Sequence, residues 1–232
     1  MIIEELKKNK ICLAIQARYS SARLPGKVLK EVSGTPLLEH TIKRLQKTNL
    51  SQSIYVLTSK NSEDLKIVNF CKSKSYKFFL CSLENVFKRF RSFLKLNNYD
   101  AFVRISGDSP LIDPFLIDKM LDKFRRNDYD ILTNVFPRTF PSGQSVEIVK
   151  SKTFLKVDES QLTEEDKEHV TSFFYKNSKI FNIENFKCKY SHKNIKLSID
   201  TNDDFDRFVY FLKKNNKSLP EDIKINDIIK NW

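Results

Sequence analysis

Short, nearly continuous apolar runs alternate along the chain with segments whose apolar residues recur every three or four positions. Residues 11–17 (ICLAIQA) have the pattern of a strand covered on both faces. Further strands are predicted at 53–58, 76–80, 101–105 and 130–133. Between them lie helical patterns. Pro36 opens one carrying Leu37, Leu38, Ile42 and Leu45, and proline suits a first helical turn. A second spans 62–71. A third spans 83–96, with Val86, Phe87, Phe90, Phe93 and Leu94 on one face. Asp113 caps and Pro114 starts a fourth, with Ile117, Met120, Leu121 and Phe124 turned inward. Strand–helix alternation at this spacing predicts an α/β fold with a mostly parallel sheet and helices on both faces.

After residue 135 the rhythm changes. Pro137, Pro141 and Gly143 make a loop, and 145–149 reads as a strand outside the simple alternation. A helix over 163–175, strands at 179–183 and 195–199, and a helix over 202–213 follow; the tail beyond 216 is weakly specified. Residues 136–192 therefore read as an excursion within one domain spanning 1–232, suited to an acceptor site or a dimer interface.

A chain of 232 residues with 40% hydrophobic and 12% aromatic content can bury a full core. No apolar run approaches the ~18 residues of a membrane span. The first ten residues lack the apolar core of a secretory signal, so a cytoplasmic protein is expected. Cys12, Cys71, Cys81 and Cys188 form no C-x-x-C pair and are expected as reduced thiols. The formal net charge of +12 raises the question of a polyanionic partner. The lysines scatter, and no motif of DNA or RNA recognition is present, so no nucleic-acid partner is expected. A phosphate-rich small molecule remains compatible with the charge. Only four glycines occur, against about sixteen at the average usage of ~7%. Gly26, Gly34, Gly107 and Gly143 therefore mark the first places to look for chemistry.

Four segments carry candidate chemistry. The first runs from Ala17 through Arg18, Ser21, Arg23 and Gly26 to Lys27, directly after the first strand. Ligands of open α/β sheets gather at the carboxyl ends of strands. Two arginines and a lysine on one loop suit a triphosphate, with backbone N–H groups as further donors. A solvated basic turn is the alternative. The loop has neither Walker A nor G-x-G-x-x-G spacing. The second segment is Arg104 to Asp113, where a strand ends at Gly107 and Asp108 follows at once. A carboxylate there can share a hard cation with phosphate oxygens, or simply belong to a turn. The third ends in Asp200-Thr201 before a helix; Thr201 can serve as the cap, which leaves Asp200 available for a metal. The fourth is Glu168-His169-Val170-Thr171 on a helix, with Glu147 on the preceding strand. His169 can bond an acceptor or sit at the edge of the core. The neighbouring Glu164, Glu165 and Asp166 read as a solvated helix start.

ARYSSARLPGKVL, SGDSPLID, EHVT and SIDTNDDF, in that order, resemble the nucleotide-sugar cytidylyltransferases, nearest to the spore-coat-polysaccharide type and more distantly to the 3-deoxy-manno-octulosonate and acylneuraminate enzymes. The likeness spans roughly residues 11–212. It implies a Rossmann-like nucleotidyltransferase fold of GT-A-like kind. It also implies a reaction in which a sugar or sugar-acid hydroxyl attacks the α-phosphorus of CTP and releases pyrophosphate, for surface-glycan synthesis. By that resemblance Arg18 and Lys27 bind the triphosphate with Ala17, Gly26, Arg104 and Gly107 around it. Ser21 and Arg23 shape the loop, Asp108 and Asp200 hold Mg²⁺, and Glu147, Glu168 and His169 face the acceptor. It further implies CTP and a small acidic sugar as partners, and a homodimer. One departure stands out: relatives of the spore-coat type often carry an acid where this chain has Ser145 in Gly143-Gln144-Ser145-Val146-Glu147. Another nucleotide, a non-sugar acceptor or a non-catalytic nucleotide-binding regulator are the competing expectations.

Overall fold

Alternation within each apolar run decides how the sheet is sandwiched. In the computed structural model, which describes residues 10–21, 23–82, 85–214 and 223–231, the first run forms β1 (Ile11–Gln16). Ile11, Leu13 and Ile15 enter one core, and Cys12 and Ala14 point to the opposite one. A strand covered on both sides must be apolar at every position, which is why the run reads as continuous. The chain proceeds through a two-residue-per-strand ribbon, β2 (Glu31–Val32) and β3 (Thr35–Pro36), into α1 (Leu37–Leu45). Then come β4 (Ile54–Ser59), α2 (Leu65–Ser73), β5 (Phe78–Cys81), α3 (Val86–Asn97), β6 (Ala101–Ser106), α4 (Pro114–Arg125) and β7 (Ile131–Thr133). Next are β8 (Glu147–Lys150), α5 (Ser151–Leu155), α6 (Glu164–Glu168), α7 (Ser172–Lys176), β9 (Ile183–Asn185), α8 (Asn202–Lys214) and α9 (Ile225–Asn231).

The main sheet has the order β5-β4-β1-β6-β8-β7-β9. All pairings are parallel except those of β8, which runs antiparallel to both β6 and β7. Apolar residues of α1, α2 and α4 fill the core on one face. Those of α3, α5 and α7 fill the other, where Phe87, Phe102 and Phe154 pack ring against ring. A third cluster joins α8 and α9 to Leu24, Leu111, Leu197 and Ile199 at the edge where the strands end. The α/β expectation, with helices on both faces, is met.

Several expected elements differ. Residues 195–199 are not a strand of the sheet. They run extended beside loops, with Ser142 N donating to Ile195 O, Leu197 N to Ser142 O and Ile199 N to Asp108 O (3.0, 2.9 and 3.0 Å). The strand expected at 179–183 begins only at Ile183, because residues 177–180 form a turn. The helix expected over 163–175 is interrupted at 169–171: Val170 is fully buried in the second core with φ 29°, and Thr171 turns its hydroxyl to Glu147. The tail ends in α9, anchored through Ile228. Residues 136–192 supply β8 and β9 to the sheet itself. The cysteines are free thiols, and burial pushes that of Cys71 up to about 12. Residues 1–9, Ala22, Leu83, Glu84, 215–222 and Trp232 lie outside the described residues, including parts of the expected loop, third helix and tail.

Gly143 lets the 195–199 segment approach. Its φ is +86°, and a Cβ there would stand 2.7 Å from both the Leu197 carbonyl carbon and the Ser198 nitrogen. Gly143→Ala is therefore expected to lower stability by about 1–3 kcal/mol, read as a reduced midpoint in urea denaturation. An unchanged midpoint would show that this backbone contact carries no weight.

Candidate functional site

The sheet order locates the cleft. β1 has β4 on one side and β6 on the other, with Gln16 opposite Ser106 in register. The chain leaves β1 in one direction and later returns to its other flank, so the loops after β1 and β6 diverge at a topological switch point. They bound a cleft of about 240 Å³. It is lined by Gln16, Ala17, Arg18, Ser21, Arg23 and Lys27, and by Ser106, Asp108, Glu168, His169 and Asp200.

The basic loop is closed on itself. Tyr19 O accepts from the amides of Ser21 and Gly26, both at 2.8 Å. Tyr19 N donates to Oδ1 of Asp64 at 2.5 Å, and the second oxygen of this fully buried carboxylate accepts from the Ser59 hydroxyl. Gly26 has φ +70°, and a Cβ there would come within 2.8 Å of the Tyr19 ring. A short 3₁₀ turn, Lys27–Leu29, then directs Lys27 inward, leaving it 8% exposed.

Lys27 Nζ meets Asp108 Oδ2 at 2.5 Å and Asp200 Oδ1 at 2.9 Å. Arg23 reaches the same Asp200 oxygen at 3.1 Å, and Arg18 pairs with Glu168 at 2.9 Å. Asp108 Oδ1 accepts from the hydroxyls of Ser106 (2.7 Å) and Ser109 (3.4 Å). Asp200 is brought beside Asp108 by the bond from Ile199 N to Asp108 O. Helix capping leaves both carboxylates to the cleft. Asp113 caps α4 by accepting from Phe115 N at 2.9 Å. Ahead of α8, Thr201 accepts from Asp204 N at 3.2 Å while the Asp204 carboxylate accepts from the amides of Asp200 and Thr201 at 3.0 Å. Burial works against the charge of Asp200. The hydrogen bond and charge of Lys27, with Arg23 and Lys196, outweigh it and hold the carboxyl below the ordinary aspartate range.

Beneath the cleft lies a second, dry network. Glu147 is 2% exposed. It pairs with Arg104 through one oxygen and accepts from Thr171 Oγ1 (2.6 Å) and the Tyr175 hydroxyl (2.5 Å) through the other. Burial raises its cost of ionising, but Arg104 and these donors prevail and its pKa lies below the usual value. Arg104 in turn donates twice to Gln16 Oε1, at 3.2 and 3.1 Å. Glu147, expected at the acceptor, and Arg104, expected at the nucleotide, pair with each other. Glu147 is enclosed by its donors, and Arg104 is engaged by Glu147 and by Gln16, which itself lines the cleft. Gly107 stays at the head of its loop, where its amide donates to Gln16 O at 2.9 Å. His169 lines the cleft at the C-terminal cap of α6 instead of within a helix. Ser145 accepts from Arg138 at 3.0 Å, the contact an acid at 145 would turn into an ion pair.

Asp64, Ser59 and Gln16 are the residues that sequence reasoning missed. Asp64 stands at the start of α2, where an acid reads as an ordinary cap. Among the described residues no group of three or more His, Cys, Asp or Glu could hold a metal by itself. Two carboxylates converging on one cation are, however, the share a protein contributes to a Mg²⁺ site that water and phosphate oxygens complete.

A family model described as cytidylyltransferase matches residues 12–226. Protein MJ1063 of Methanocaldococcus jannaschii, itself uncharacterized, is 32% identical over 88% of this chain and 84% of its own length. Spore coat polysaccharide biosynthesis protein SpsF of Bacillus subtilis is 27% identical over 85% of this chain and 84% of its own. An 8-amino-3,8-dideoxy-manno-octulosonate cytidylyltransferase of Shewanella frigidimarina is 33% identical over 51% of this chain and 49% of its own. The solved structure of a cytidylyltransferase from Leptospira borgpetersenii superposes with a TM-score of 0.85 at 29% identity, covering 96% of this chain and 97% of that one.

The low pKa values have a sign in stability. Asp200 and Glu147 bind protons more weakly folded than unfolded. Their stabilising contribution is complete above the unfolded values of about 4 and is lost as pH falls through the folded ones. Unfolding free energy measured in urea is expected to fall between about pH 5 and 3. Asp200→Asn should make that fall shallower, and an identical slope would remove Asp200 from the linkage.

Proposed function

Because this chain belongs to the cytidylyltransferase family, we propose that it transfers CMP from CTP to a hydroxyl of a sugar or sugar acid, with Mg²⁺ held by Asp108 and Asp200. The octulosonate and spore-coat relatives support a sugar acid or related glycan precursor as acceptor. The observation that carries the reading is Lys27, seated between Asp108 and Asp200 beneath a loop bearing Arg18 and Arg23.

In this reaction the acceptor oxygen forms a bond to the α-phosphorus, the bond from that phosphorus to the bridging oxygen breaks, and pyrophosphate leaves as the hydroxyl proton is lost. Such transfer depends chiefly on positioning and on neutralising phosphate charge. Arg18, Arg23 and Lys27 bring three cations to one loop. The bond from Tyr19 N to Asp64 fixes that loop against the buried end of α2, so the cations are arranged before the nucleotide arrives. Mg²⁺, when bound, neutralises phosphate charge and favours loss of the attacking hydroxyl's proton. Ser106 and Ser109 hold one oxygen of Asp108 in place, leaving the other directed at the cleft. His169 lines that cleft beside Glu168 and is positioned for a polar group of the acceptor. Among the described residues no helix is long and apolar enough to cross a membrane.

Pyrophosphate release with a panel of nucleoside triphosphates and acidic sugars tests the reading; CTP should support turnover best. Asp108→Asn is expected to reduce turnover by roughly 10²–10³-fold with little change in the thermal transition. Lys27→Ala should weaken CTP binding by about 10–100-fold, the scale of a charged hydrogen bond, as measured by calorimetric titration. A near-normal rate in the first variant, or unchanged affinity in the second, contradicts the assigned role.

A further inference from the structure

Every cation on the phosphate loop already faces a carboxylate of the same chain. For Lys27 and Arg23 the partners are Asp108 and Asp200, the acids to which the proposed function gives a metal. Glu168, the partner of Arg18, is assigned no metal, and it also lies within electrostatic reach of the buried Arg89. Its place in the fold is also unfavourable. It is the last residue of α6, where the helix dipole prefers a cation. The chain immediately beyond it is strained, since Val170 is a buried β-branched residue at φ 29°. The other acids of this helix have local work. Glu164 pairs with Lys167, Glu165 and Asp166 with Lys176, and Asp166 completes the capping box with Thr163. Glu168 alone among them lines the cleft, where it pairs with the Arg18 guanidinium.

From this geometry we infer that Glu168 is an internal competitor for the phosphate seat on Arg18, setting an upper limit on polyphosphate affinity so that the pyrophosphate product leaves. The inference rests on the reading that phosphates occupy this loop. The pair is about two-fifths exposed on both sides (41% and 37%). An ion pair in such a setting is weak and exchanges readily. A polyphosphate presents several anionic oxygens to a guanidinium that can donate to two at once, and it displaces the single carboxylate. While Arg18 is held by Glu168 it is not free for phosphate, and apparent affinity falls by the fraction of time it is held. After transfer the same carboxylate reclaims Arg18 as pyrophosphate departs. Glu168 is thus a positioning residue, acting on the substrate through Arg18.

The test is calorimetric titration of the full chain with inorganic tripolyphosphate, pyrophosphate and, as a phosphate-free control, cytidine. Glu168→Gln is expected to tighten tripolyphosphate and pyrophosphate by about five-fold, the upper range for releasing an exposed pair, and to leave cytidine unchanged. Glu168→Ala should act in the same direction. In an Arg18→Gln background the effect of Glu168→Gln should vanish, because the competitor has lost its target. Unchanged or weakened polyphosphate binding overturns the inference. So does tightening that persists without Arg18, which would report simple removal of a negative charge. If the native chain binds tripolyphosphate but does not favour CTP in the nucleotide panel, the cytidylyl assignment fails while the role of Glu168 is still judged on its own. If the native chain binds neither tripolyphosphate nor pyrophosphate, the role of Glu168 fails, while the cytidylyl assignment is decided by the nucleotide panel.

Discussion

The ammonium of Lys27 joins three parts of the chain that are far apart in sequence. Its partners lie 81 and 173 residues away, at the end of β6 and ahead of α8. Two carboxylates this close would repel each other, and one of them would be driven to bind a proton. A cation between them removes that conflict, and the low pKa of Asp200 follows from it. The requirement reaches into the backbone. The 195–199 segment must lie against the Asp108 loop, which the bond from Ile199 N to Asp108 O accomplishes, and Gly143 must lack a side chain for that segment to fit. The cation has to remain in the middle, yet it need not always be Lys27. In the proposed reaction a divalent ion between the same carboxylates would take over that role and free the lysine for phosphate.

Much of this was legible in the sequence because strand ends are. An apolar run that stops at a Gly or a loop and continues into Arg, Lys or Asp announces a carboxyl-edge site. That rule points to Arg18, Arg23, Lys27 and Asp108. Asp200 is reached by a different route. The pattern puts it after a strand that the structure does not contain, but helix capping still singles it out: Thr201 and Asp204 manage the start of α8, and the Asp200 side chain goes to Lys27. What escaped was whatever depends on distant packing. Asp64 looks like a cap in sequence and in space anchors Tyr19. Glu147 looks like a cleft acid and is enclosed by Arg104, Thr171 and Tyr175. The helical periodicity of 163–175 is real, but burial of Val170 and the pull of Glu147 on Thr171 override it.

The two networks have different physical characters. Glu147 itself is buried, and removing its Arg104 partner leaves a charge in a low-dielectric site at a cost of about 3–5 kcal/mol. That network fixes Arg104 and, through it, Gln16 in the cleft floor. Around the phosphate loop the pairs of Arg18 and Arg23 face water, where ion pairs contribute about 0–1 kcal/mol. Rigid charge lies below and exchangeable charge above, an arrangement suited to a ligand that must enter as a polyanion and leave as two smaller ones.

Ser145 shows how one side chain sets the charge around a half-buried guanidinium. Arg138 donates to the Ser145 hydroxyl and to Pro141 O. Burial, only partly offset by the charges of Glu147 and Tyr175, pulls its pKa down. An acid at position 145 would neutralise this guanidinium, whereas a serine leaves its charge to act on the surroundings. Arg138 is tied electrostatically to Glu147, and Ser145 follows two residues after Gly143, whose backbone abuts Leu197 and Ser198. A change of charge at 145 is therefore coupled to the Arg104–Glu147 pair on one side and, through the 195–199 segment, to Asp200 on the other.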